Sequence, residues 1–269
     1  MILLLFLFCT SVLGYVETDT LLKQVQQVQH PNISFRFVDD ILLVDWTVDS
    51  PERVLLVFNE HARELVTGEL GLRAVKQLQE WSPSVSVTLI PVLNVWGRKK
   101  VENGAACLRK NRYGVDTNRN FQMEFHHYFQ DSDEYQGPYP LSEKESKLIA
   151  SELKNVSRYV NIHSGEFSLY MPYDASFETP PGAAIMQKQL KKWSKHCPQC
   201  SIGPAASTSS YKAYGTSVDW AIKHDVPESY TFEIYGEETR DCTKMFNPPA
   251  DKLDAVLEPW LQILQQVLT

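Results

Sequence analysis

Residues 54–81 read VLLVFNEHARELVTGELGLRAVKQLQEW, and this stretch decides the fold class. Its first five residues form an uninterrupted apolar run, the pattern of a strand buried on both faces of a sheet. Beyond the polar segment Asn59–Glu64, Leu65, Leu72, Val75, Leu78 and Trp81 recur at helical spacing. A buried strand running into an amphipathic helix is the first half of a βαβ unit. The alternation continues along the chain. VSVTLIPVLN (85–94), RYVNIHS (158–164) and SYTFEIYG (229–236) read as strands, and 142–155, 182–196, 214–224 and 251–268 read as helices. No internal repeat, low-complexity tract or linker rich in Gly, Ser or Pro divides them. The expectation is one α/β domain with a largely parallel, buried sheet. In such sheets, ligands sit beyond the carboxyl ends of the strands.

Composition removes several classes of function. The 269 residues are 43% hydrophobic and 22% charged, which excludes a disordered tail, a collagen-like fibre and a polytopic membrane protein. The formal charge is -7, from 26 basic and 33 acidic residues with no basic run, so no nucleic-acid partner is expected. The uncharged segment MILLLFLFCTSVLG (1–14) is too short to span a bilayer. It reads as a secretory signal cut near Tyr15, although it lacks a basic n-region. The mature chain, 15–269, is then expected to be secreted or lumenal (extracellular, or lysosome- or vacuole-like), without a membrane span, and a monomer. Four cysteines remain after the cut, Cys107, Cys197, Cys200 and Cys242, and they allow three pairings. The reading adopted is a local Cys197–Cys200 bridge with Cys107–Cys242, since no second CxxC completes a tetrahedral thiolate site. Asn32-Ile33-Ser34 and Asn155-Val156-Ser157 are glycosylation sequons suited to that compartment.

The strand ends carry the chemistry. His61 and Glu64 are three apart at a strand-to-helix junction, and the strand YVNIHS closes on His163. Alone, each reads as a helix surface or a packed residue. Together, two His and one Glu form the ligand set of a catalytic zinc with a fourth position open to water. CLRKNRYGVDTNRNF (107–121) places Arg109, Arg112 and Arg119 beside Asn118. The strand-like Gly114-Val115-Asp116 suggests that this loop folds inward, where an arginine needs a carboxylate partner that a substrate could supply. Glu233 stands among Phe232, Ile234 and Tyr235, a costly place for a carboxylate unless it is paired or functional.

HARE (61–64), RKNR (109–112), GVDTNRNF (114–121), NIHSG (161–165), YKAYGTSVDW (211–220) and YTFEIYG (230–236) follow one another in the order found in zinc metallocarboxypeptidases of the carboxypeptidase A type. The chain resembles that family from about Val54 to its last helix. The resemblance implies a mixed, mostly parallel eight-stranded sheet flanked by helices, and one Zn2+ per chain on His61, Glu64 and His163. It implies Glu233 as general base and acid, and Arg109 as the group that polarises the scissile carbonyl. Asn118 and Arg119 would clamp the substrate's terminal carboxylate, and Tyr211 would close over it. Peptide or protein C-termini are the implied substrate. Val218 aligns with the floor of the side-chain pocket, with Ala206, Ser210 and Ala213 as small walls, and so implies release of neutral or apolar residues. Ser164-Gly165 departs from the Ser-Tyr usual in pancreatic members. Fewer than about fifty residues separate the signal cut from His61, too few for an activation domain of typical size, and no accessory domain is expected after the last helix. The alternatives are the same metal site acting on peptidoglycan stem peptides or acylated amino acids, and a non-catalytic peptide binder. Intact ligands and base speak against the binder.

Overall fold

The computed structural model of the protein describes residues 14–121 and 129–269. The signal reading of residues 1–14 lies, but for Gly14, outside the described residues. One sheet organises the rest. Its strands are β1 (Ile33–Val38), β2 (Ile41–Trp46), β3 (Arg53–Phe58), β4 (Ser86–Ile90), β5 (Arg158–His163), β6 (Glu166–Met171), β7 (Ser201–Pro204) and β8 (Glu228–Tyr235). They lie in the order β1-β2-β4-β3-β5-β8-β6-β7. The central strands β4, β3, β5 and β8 run parallel. β1 and β2 on one side and β6 on the other join antiparallel, and β7 closes the far edge parallel to β6.

Residues 54–58 of β3 are at most 1% exposed, because both faces of the strand are covered. Val54, Leu56 and Phe58 join Val160, Ile162, Tyr230 and Phe232 in the larger core. Over that face pack α1 (Thr18–Gln26), α2 (Leu65–Trp81), α5 (Ala183–Trp193) and α9 (Leu253–Val267), whose buried residues belong to the same core. Leu55, Val57 and Tyr159 point the other way, into a smaller core shared with α4 (Lys144–Glu152) and α7 (Ser217–Lys223). The remaining helices are α3 (Val95–Glu102), α6 (Ala205–Ser209) and α8 (Cys242–Phe246). α2 ends where Ser82 turns left-handed, φ +45°, and donates its N–H to the Leu78 carbonyl, just before Pro83.

The four strands expected from the sequence are β3, β4, β5 and β8. The Gly114–Asp116 segment is not a strand. Gly114 has φ +72°, and the backbone bonds locally, with Asn111 N–H donating to the Val115 carbonyl. It feeds a single 3-10 turn, Thr117–Arg119, capped by Asp116, whose carboxylate accepts from the Asn118 N–H at 3.0 Å. Cys107 is bonded to Cys242, and Cys197 to Cys200, with Cα–Cα distances of 5.3 Å. Among the described residues, no helix is long and apolar enough to cross a membrane.

Candidate active site

The parallel strands deliver the candidate residues to one end of the sheet. Beyond Phe58, Asn59 adopts φ +52° and turns the chain out of β3. Its amide donates to the carbonyls of His61 (2.9 Å) and Glu64 (3.2 Å), and its oxygen accepts from Arg98 at 3.0 Å. Arg98 has no exposed surface and also donates to the Leu65 carbonyl at 2.8 Å. This buried bracket fixes the turn from which His61 and Glu64 face inward. His163 ends β5 and lies opposite Glu233 of β8 in register.

Three side chains converge. Glu64 Oε1 lies 2.8 Å from His61 Nδ1, and its Oε2 lies 3.1 Å from His163 Nδ1. The two Nδ1 atoms are 3.1 Å apart, and all three residues are at most 3% exposed. The ligands of a tetrahedral zinc with bonds of 2.0–2.1 Å stand about 3.3 Å from one another, so the set has the dimensions of a metal site. Electrostatics agree. Burial works against the charged forms, yet the paired imidazoles hold Glu64 well below the usual carboxylate range, and Glu64 holds His163 up to about 9. The pocket calls for positive charge, and the three residues fit zinc.

Asp116 backs this centre. Its Oδ1 lies 3.2 Å from His61 Nε2, and its Oδ2 accepts from Arg109 Nε at 2.7 Å. Burial would raise its pKa, but Arg109 and His61 outweigh that and hold it well below its ordinary value. One carboxylate thus orients both a metal-facing imidazole and the arginine beside it.

A cleft of about 350 Å3 opens over the centre, at the lower end of small-ligand sites. Its walls bring together His61, Arg109, Asn118, Arg119, His163, Tyr211 and Glu233, seven of the nine residues expected from the sequence. Glu64 lies beneath them. Val218 does not reach the wall; it is 1% exposed and packs into the smaller core. Half-buried Glu233 has no hydrogen-bond partner for Oε2. Burial pushes its carboxyl up to about 8, with His163 opposing and Glu64 adding to the rise. It can therefore hold or release a proton near neutral pH.

The far wall contains residues that the sequence reading passed over. Asn118 is committed to structure, its oxygen accepting from the Ser217 N–H at 2.9 Å at the start of α7. Arg119 Nη1 donates to the Asn118 carbonyl at 3.0 Å, and Nη2 donates to Glu134 Oε1, also at 3.0 Å. Tyr211, 48% exposed, donates its hydroxyl to the same Glu134 oxygen. An internal carboxylate therefore sits on the expected carboxylate clamp. Deeper in the cleft, Asp174 is 8% exposed and its Oδ1 has no partner. Burial pushes its carboxyl up to about 6, while the nearby Thr216 hydroxyl and Arg119 pull it down. Its backbone N–H is held by Asp219 at 2.9 Å. One signal could have found Asp174, namely an acid just past a strand end, but β6 itself was not legible.

A family model described as zinc carboxypeptidase (Peptidase M14) matches residues 49–260. Mast cell carboxypeptidase A of Rattus norvegicus is 30% identical over 167 residues, covering 54% of this chain and 40% of that protein. The chain thus spans less than half the length of this curated relative. In fold it is similar to bovine thrombin-activatable fibrinolysis inhibitor, solved in complex with tick carboxypeptidase inhibitor, with a TM-score of 0.84 at 19% identity over 94% of this chain and 96% of that one. It is also similar to murein-tripeptide amidase MpaA from Escherichia coli O157, with a TM-score of 0.58 at 16% identity over 90% and 94%.

Proposed function

The chain belongs to the zinc carboxypeptidase family, and from that premise we propose that it is a hydrolase releasing single residues from peptide C-termini. The observation that carries this reading is the placement of Glu233, Arg109 and Arg119 around one cleft above His61, Glu64 and His163. Zinc bound there would supply Lewis acidity and lower the pKa of a coordinated water to about 7. The chain's own groups divide the remaining work. Glu233 takes a proton from the attacking water and returns it to the leaving amine. Arg109, steadied by Asp116, faces the charge that develops on the carbonyl oxygen. Arg119 binds the terminal carboxylate and Tyr211 closes beside it. An internal peptide bond offers no such anion, so the clamp selects chain ends.

The small walls Ala205 and Ala213 support a neutral or apolar leaving residue. One observation favours a second reading, a basic one: Asp174 places a buried, unpartnered oxygen inside the cleft, and a C-terminal Lys or Arg would satisfy it. The two disulfides support a secreted or lumenal setting, with residues 1–14 removed as a signal and Asn32 and Asn155 as glycan sites.

The test is residue release from a mixed-sequence peptide panel that also contains a peptidoglycan stem peptide. Wild type, Glu233→Gln and Asp174→Asn are compared with and without a chelator. We expect release that the chelator abolishes, and a loss of about a hundredfold to ten-thousandfold in kcat for Glu233→Gln. Release from the stem peptide alone would replace peptide C-termini with the amidase reading. Unchanged side-chain preference in Asp174→Asn would return the pocket to neutral residues.

A further inference from the structure

The bracket around the metal site contains one buried acid that none of the roles above uses. Glu60 precedes His61 and has no exposed surface. Its Oε2 accepts from Asn161 Nδ2 at 2.6 Å and lies 3.8 Å from His163 Nε2. Its Oε1 is buried with no partner at all. A carboxylate in that position is costly unless something nearby needs its charge.

His163 supplies the need. Its Nδ1 faces Glu64 and His61, so a metal bound by Nδ1 leaves the proton on Nε2. That Nε2–H requires an acceptor. The nearest polar neighbour, Asn118 Nδ2 at 3.4 Å, is a donor, and its orientation is fixed because Asn118 Oδ1 accepts from the Ser217 N–H. Glu60 Oε2, 3.8 Å away, stands a few tenths of an ångström outside hydrogen-bond distance and is the carboxylate positioned to accept it. On the other side of the site, His61 faces Asp116 in the same way, Nδ1 inward and Nε2 on a carboxylate at 3.2 Å. Metal-bound histidines almost always place their second ring nitrogen on such a partner, which sets the ring's orientation and raises its basicity as a ligand.

We infer that Glu60 is a positioning residue for the metal: the carboxylate that orients His163 through Nε2, matching Asp116 on His61. Asn161 holds Glu60 in place from the neighbouring strand β5, where its amide also reaches Ser217 Oγ at 2.9 Å. The inference rests on the metal reading of the site and is independent of which peptide is cut.

The test measures zinc affinity by competition with a chromophoric chelator, for wild type, Glu60→Gln and Glu60→Met. Glutamine keeps the shape and an acceptor for Asn161; methionine fills the space without a polar group, so one of the two should fold. Cobalt-loaded protein reports ligand geometry through its visible absorption. Loss of an outer partner of this kind typically weakens metal binding about 10–100-fold. We expect that loss, an altered cobalt spectrum, and a fall in melting temperature that is larger for the zinc-loaded form than for the metal-free form. Unchanged zinc affinity and cobalt spectrum would overturn the inference, as would an equal fall in stability of metal-free and loaded forms, the mark of a merely structural role. Wild type that binds no zinc would instead sink the metal reading beneath it.

Discussion

The two ends of the cleft are built differently. At the metal end, His61, Glu64, His163 and Asp116 hang from β3, β5 and the capped turn at Thr117–Arg119, and their convergent atoms are paired and buried. At the substrate end, Arg119 and Tyr211 share Glu134, which is carried on a loop, and Tyr211 is half exposed. The sheet fixes what must not move by a few tenths of an ångström. The loops carry what has to exchange partners when a substrate arrives, since exposed loop segments open at lower free energy than core strands.

Removing Arg119 should break this comparison most visibly. Truncating one member of a buried charge pair costs about 2–5 kcal/mol. Arg119→Ala should therefore raise KM by roughly thirtyfold to several thousandfold for peptides with a free carboxylate, with a smaller change in kcat. Steady-state kinetics with free and amidated C-termini checks this. An equal loss on the amidated peptide would mean that Arg119 supports the metal end.

Glu134→Gln sharpens the comparison in the opposite direction. A substrate has to displace Glu134 from Arg119, and a part-exposed ion pair of this kind is worth about 0.5–1.5 kcal/mol. The variant should lower KM by about threefold to tenfold and leave kcat unchanged. A rise in KM would show that Glu134 helps hold the clamp open for substrate.

A third effect concerns Asp174 and is read in stability, not in kinetics. Its carboxyl titrates at about 6 in the folded chain, above the ordinary value of 3.8. Between those two pH values the folded protein keeps a proton that the unfolded chain has released. Stability contributed by this group is therefore present at low pH and lost as pH rises through 6. Asp174→Asn should melt at the same temperature as wild type near pH 4 and a few degrees higher at pH 7, a difference on the order of 2 kcal/mol. Parallel melting curves at every pH would mean that a neighbour already compensates the charge.

How much of this was legible depended on local signals. β3, β5 and β8 declare themselves because strands sealed on both faces are continuously apolar, and His163 and Glu233 stand out as polar residues within or closing such runs. β7 is only four residues long, and β6 begins with exposed Glu166, so neither carries a clear period. Asp174, just beyond β6, was lost with it. Glu60 and Asp116 were in plain view inside quoted motifs, but an acid declares its role only when its neighbours in space are known. Glu134 lies 15 residues from Arg119, and only the folded loop brings them together. Val218 was placed by alignment alone, and the packing puts it behind the wall.

The Cys107–Cys242 bond joins segments 135 residues apart, closing a loop whose entropy is worth about 4–5 kcal/mol on a chain-entropy view. Its position says more than its energy. Cys107 lies two residues before Arg109, whose carbonyl accepts from the Ala62 N–H inside the metal-bearing turn. Cys242 opens the short helix α8, which leads into Asn247, and Asn247 in turn bonds the Val66 N–H and the Arg63 carbonyl. The crosslink therefore stitches Arg109, proposed above to face the oxyanion, to the turn that carries His61 and Glu64. A chain folded among reducing thiols would keep the His–Glu–His triad and yet carry Arg109 on an unstapled loop. The thiol chemistry of the surroundings is thereby coupled to the shape of the cleft, because reducing one bond would loosen one wall of it and leave the other in place.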